Sequence, residues 1–147
     1  MPIRITCAVA FLLAWTACVV EADTPRSDAA IKPTEVLKLF DGKISDDFYT
    51  FLKDTQYDDP RNVFRVTDGM LHITGDGLGG LVSKKPYRDY HCVLEYKWGT
   101  KTWHGRKAKT KDSGFLIHSN GPDGGYGGIW MPSLEVQIIE GGVGACL

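Results

Sequence analysis

The chain has 147 residues, a net charge of −1, and 43% hydrophobic and 11% aromatic side chains. It is the size of one ordinary domain, which excludes two complete catalytic domains, and it is too apolar and too nearly neutral for intrinsic disorder or for a nucleic-acid footprint. Its 17 glycines and 7 prolines follow no G-X-Y period and interrupt any heptad, which removes collagen and coiled coil.

Residues 1–22 have the form of a signal peptide. Arg4 precedes an uncharged apolar run, Cys7 to Val20, of about fourteen residues, too short to span a bilayer. Val20 and Ala22 are small enough for a cleavage site. The expectation is therefore an exported protein, periplasmic or extracellular, with no transmembrane helix beyond the signal; a lipid anchor on Cys18 is the minority alternative. A polar leader covers residues 23–33, and a single domain occupies 34–147. Cys92 and Cys146 remain in the mature chain. They read as free thiols, with a disulfide between them as the lesser alternative.

Val36 to Phe40 is an apolar run that periodicity leaves open between helix and strand. Ile44 to Pro60 mixes acids with aromatics and reads as a loop with one helical turn. From Phe64 the pattern sharpens. Phe64 and Val66 alternate with Arg65 and Thr67, Asp68-Gly69 makes a two-residue turn, and Leu71 and Ile73 complete a hairpin that pairs Val66 with Leu71 and Phe64 with Ile73. Leu81 to Ser83 is a short strand. Tyr90 to Trp98 alternates as a longer one, with Tyr90, Cys92, Leu94, Tyr96 and Trp98 on one face. Gly114 to His118 and Leu134 to Ile139 are two more, separated by a glycine-rich loop over 119–132. Several strands with no amphipathic helix between them predict an all-β sandwich or jelly roll.

Two segments imitate motifs. Gly75-Asp76-Gly77-Leu78-Gly79-Gly80 fits G-x-G-x-x-G, but Lys84-Lys85-Pro86 follows instead of a helix that could face a pyrophosphate, so it reads as a connecting loop. The basic run Lys101, Arg106, Lys107, Lys109 and Lys111, with Trp103 and His104 inside it, reads as a solvated hairpin that presents Trp103.

The informative constellation is Asp112-Ser113-Gly114-Phe115-Leu116-Ile117-His118 with Ser133-Leu134-Glu135-Val136-Gln137-Ile138-Ile139-Glu140. Alternation places Asp112, Gly114, Leu116 and His118 on one face, and Glu135 and Gln137 on one face. If the strands are neighbours, His118, Glu135 and Gln137 supply a base, an acid and an amide suited to sugar hydroxyls; the alternative is a plain solvent-exposed face. Glu135 and Glu140 are five apart, and a β-bulge would return them to one face. That is how laminarinase-type retaining glycosidases hold a carboxylate pair about 5 Å apart, although here Gln137 stands where those enzymes carry an aspartate.

The segments Leu39-Phe40-Asp41-Gly42-Lys43, Phe64 to Leu71, Gly80 to Lys84, Tyr87 to Tyr90, Leu94 to Trp98, Asp112 to Phe115 and Glu135 to Glu140 together resemble the 3-keto-disaccharide hydrolase family. The resemblance implies a jelly-roll β-sandwich of the concanavalin A-like lectin/glucanase type, with sugar bound across its concave sheet. It implies cleavage of 3-keto-glycosides. A ketone at C3 acidifies the C2 hydrogen, so a base can remove it and expel the C1 substituent, after which water adds. On this resemblance Glu135 or His118 is the base, Gln137 orients sugar hydroxyls, and Lys97 or His118 stabilises the enolate. Glu140 and Asp112 complete the polar set, and Trp98, Tyr126 or Trp130 stacks on a sugar face. No cofactor is indicated by a motif; a divalent metal held by His118 and carboxylates is the open alternative, without diagnostic spacing. The chain departs from the family pattern at Asp112, commonly asparagine there, and near His118 and Glu140, where the family commonly shows arginine and aspartate. It ends seven residues after Glu140, short of the return strands of the family domain, so the expectation is an incomplete sandwich with an exposed strand edge. The non-enzyme alternative is a lectin-like or lamin-G-like carbohydrate-binding module.

Overall fold

A computed structural model describes residues 30–146. The segment expected to be a signal peptide, with Cys7 and Cys18, lies outside the described residues, as does most of the expected leader. The described chain is all-β apart from one 3-10 turn. Its strands are β1 (Phe48–Leu52), β2 (Phe64–Thr67), β3 (Met70–Ile73), β4 (Gly79–Ser83), β5 (Asp112–Ile117), β6 (Leu134–Ile139) and β7 (Gly142–Cys146). They form three antiparallel sheets, β1-β4, β2-β3 and β5-β6-β7. Among the described residues no helix is long and apolar enough to cross a membrane.

The β2–β3 hairpin has the register its sequence predicts, Phe64 opposite Ile73 and Val66 opposite Leu71. Asp68 and Gly69 both take positive φ, 52° and 71°, the left-handed pair a two-residue hairpin turn requires. Asp59 fixes the entry to this hairpin. Its two carboxylate oxygens accept from the backbone N–H groups of Val63 at 2.8 Å and Phe64 at 2.9 Å.

β1 lies where a loop was expected. Leu52, fully buried, joins Val63, Phe64 and Leu81 in the core. On the other face of β1, Tyr49 donates to Asp123 at 3.1 Å and the Phe51 ring packs edge-on against Tyr57. Both faces are covered, so the sequence of β1 lacks the polar alternation that marks a half-exposed strand. β4 begins at Gly79, which comes so close to β1 that a Cβ there would strike the Phe51 carbonyl and the Leu52 Cα. The glycine-rich segment therefore leads into a strand, as a connecting loop does. Gly77 is fitted against Arg61 and Val63, and Gly75 against the Trp103 ring. Trp103 is half-buried there, with the Lys101 ammonium 3.5 Å over its ring, so the basic loop does not present it freely.

The expected strand over Tyr90 to Trp98 has no ladder partner among the described residues. Its alternation nevertheless survives. Cys92, Leu94 and Tyr96 line an apolar groove with Phe115, Val136, Ile138 and Val143, although Leu94 and Tyr96 stay partly open to solvent; His91, Val93, Glu95 and Lys97 do not line it and are exposed. Cys92 and Cys146 are free thiols.

Candidate functional site

The candidate site is the polar face of the β5-β6-β7 sheet. β5 and β6 pair in one unbroken register from Asp112 opposite Ile139 to Ile117 opposite Leu134, and the Glu140 N–H donates to the Lys111 carbonyl at 2.9 Å to continue it. Cross-strand partners share a face. One face therefore carries Ser113, Phe115, Ile117, Leu134, Val136 and Ile138, which meets the apolar groove. The other carries Asp112, Gly114, Leu116, Glu135, Gln137 and Ile139.

Glu135 is half-buried and lies across Gly114; a Cβ at position 114 would run into its carboxyl group and its Cγ. Burial, and then the charge of Asp112, push the Glu135 carboxyl above its ordinary range. Gln137, the next residue on the same face, donates from Nε2 to Asp112 Oδ1 at 2.7 Å. Arg106, at the end of the 3-10 turn His104–Arg106, donates from Nη2 to Asp112 Oδ2 at 3.0 Å. Three side chains expected at the site, Asp112, Glu135 and Gln137, thus come together.

Glu140 does not join them. The register shift in this sheet lies between β6 and β7, with one extra residue on β7, where Gly144 has a φ of 95°. The strand carrying both glutamates has no bulge toward β5, so Glu140 falls on the face opposite Glu135. Its Oε1 accepts from Lys111 Nζ at 2.7 Å, and this ammonium holds the Glu140 carboxyl below its ordinary range. His118 is also absent from the face. β5 ends at Ile117, and His118 takes a φ of 54° that turns the chain into the loop over 119–133, leaving it exposed.

Lys97 is exposed on the segment whose alternate residues cover the apolar groove. Trp98 is half-buried, edge-on to Tyr96 with ring centroids 5.8 Å apart. Tyr126 is 67% exposed and Trp130 half-buried, in a loop closed by the Tyr126 N–H to the Trp130 carbonyl at 2.8 Å. The same loop is tied to β1 through Asp123, which accepts from both Tyr49 and Tyr57. Among the described residues no three His, Cys, Asp or Glu side chains are grouped so that they could hold a metal ion.

Gly114 and Arg106 also contribute to this face, beyond the side chains its alternation marks. Gly114 was legible in principle, since a glycine inside a strand often marks a close approach. Arg106 carried no signal beyond its charge.

A family model described as the 3-keto-alpha-glucoside-1,2-lyase-like domain matches residues 35–145. No curated protein and no solved structure matches the chain. The matched span holds every strand from β1 through β6 and all of the polar face, and the family's concanavalin A-like fold agrees with the antiparallel all-β architecture. The chain belongs to the 3-keto-disaccharide hydrolase family.

Proposed function

We propose that the protein cleaves glycosidic bonds of 3-keto-glycosides by elimination followed by hydration, with Glu135 as the base. The observation that carries this reading is the Glu135 carboxyl itself, half-buried over Gly114 and raised in pKa by burial and by Asp112. A carboxylate held this way is a stronger base, closer in pKa to neutral operation, than one in water. Glu135 takes the C2 proton, and the electrons of that C–H bond pass into the C3 ketone as an enolate. The enolate then re-forms the ketone as the C1–O bond breaks, the leaving oxygen takes a proton, and water adds across the new double bond. Gln137 orients the sugar through its amide.

The unbroken β5–β6 register favours this one-base chemistry over a two-carboxylate retaining mechanism, which needs both glutamates on one face. The apolar N-terminal run supports export, with the activity exercised in the periplasm or outside the cell.

Incubating the protein with an aryl 3-keto-glucoside and with the parent glucoside tests the reading. Aglycone release from the keto compound alone is expected. Retained sugar binding with no release from either compound would overturn the enzyme reading in favour of a binding module.

A further inference from the structure

Arg106 comes from the loop before β5, and it reaches the site through Asp112. Its Nη2 donates both to the Thr110 carbonyl at 2.8 Å and to Asp112 Oδ2 at 3.0 Å. The other oxygen of the same carboxylate, Oδ1, accepts from Gln137 Nε2 at 2.7 Å. Each oxygen of Asp112 thus has its own donor, and the carboxylate is fixed from both ends. An ionised carboxylate can only accept hydrogen bonds, so it selects the nitrogen end of the Gln137 amide. The amide oxygen of Gln137 is left with no hydrogen bond among the described residues.

We propose that Arg106 and Asp112 are positioning residues that fix the Gln137 amide with its nitrogen toward Asp112, so that its carbonyl oxygen is left, on the face shared with Glu135, as the acceptor for a substrate hydroxyl. This rests on the sugar-cleaving reading for the substrate, but the orientation itself does not depend on turnover. Without the pair the amide can rotate, and half of its orientations would present a donor where the hydroxyl needs an acceptor. β7 adds no competing charge on this face, because Gly142 stands opposite Ile139. Lys111 and Glu140 are paired with each other.

The first test is an amide NMR spectrum of the whole chain, with the Gln137 side-chain NH2 signals assigned by their loss in Gln137→Met. In the wild type one of these protons is expected downfield and slow to exchange. In Asp112→Ala it should move to the free-amide position, whereas Asp112→Asn, which keeps an acceptor oxygen, should largely preserve it. Should Asp112→Ala fail to fold, Arg106→Gln on the exposed loop takes its place and is expected to move the same signal part of the way. Gln137 signals unchanged in both Asp112→Ala and Arg106→Gln would overturn the proposal. In turnover of a 3-keto-glucoside, KM is expected to rise about tenfold in Asp112→Ala and to recover in Asp112→Asn, with kcat changing less. An equal fall of kcat in both variants, with KM unmoved, would contradict a positioning role. If the wild type releases no aglycone, the NMR result still decides the orientation, and only the proposed reaction fails.

Discussion

Glu135 occupies the space that a side chain at position 114 would fill, and Gly114 is what admits it. The opposition is diagonal. Glu135 pairs with Leu116 across the ladder, so its side chain leans along β5 over the next residue of the same face. A glycine costs a strand interior some stability, and here the space it leaves holds the carboxyl group proposed as the base.

Gly114→Ala is therefore expected to displace Glu135 while leaving the β5-β6 ladder paired. Overpacking of this kind costs about 1–3 kcal/mol. A urea melt should show a loss in that range, and aglycone release should fall about 100-fold from misplacement of the base. A variant with wild-type activity would mean that the Glu135 position is unimportant.

Glu140→Gln should leave turnover close to wild type, because Glu140 lies on the opposite face and is engaged with Lys111. A mechanism needing two carboxylates would instead lose nearly all activity in either single variant. Rates measured side by side for Glu135→Gln and Glu140→Gln separate the two.

The two glutamates should also move stability in opposite directions with pH. Glu135 holds its proton above the ordinary value of 4.5, so the fold favours its protonated form. Its contribution is present below that value and is lost as pH rises through the folded one. Glu140 titrates below 4.5; its contribution is present above that value and is lost as pH falls through the folded one. Denaturation midpoints across the acid range should show the first slope vanish in Glu135→Gln and the second in Glu140→Gln. The second should also shrink in high salt, as an exposed ion pair does.

Two glycines with different constraints should respond differently to alanine. At Gly69 a Cβ meets nothing within 4 Å, so Gly69→Ala bears only the cost of its left-handed backbone, about 1 kcal/mol. At Gly79 a Cβ would strike the backbone of β1. Gly79→Ala should cost several times more, and thermal melts of the two variants give the comparison.

Much of this was written in local pattern. Asp68-Gly69 between alternating runs determined a hairpin whose every pairing matches, because turn chemistry and face alternation agree there. The face shared by Asp112, Glu135 and Gln137 followed from period-two parity, which holds as long as the register is unbroken. His118 was misplaced because parity was carried one residue past the end of β5, where positive φ ends the alternation. β1 reads as a loop because it is covered on both faces, by Val63 and Phe64 on one and by Tyr57 and the Asp123 loop on the other. Tyr90 to Trp98 shows the converse: its alternation correctly marked which side chains turn toward the apolar groove, but alternation specifies a face and cannot supply a ladder partner. Glycine-rich β7 showed neither pattern and had no sequence signal.

The role of Glu135 as the base is tested most directly by Glu135→Gln assayed for aglycone release from a 3-keto-glucoside, with sugar binding measured on the same samples. With Glu135 as the base, binding is retained while release falls by about 10²–10⁴-fold. Release at the wild-type rate with Glu135 removed would contradict it.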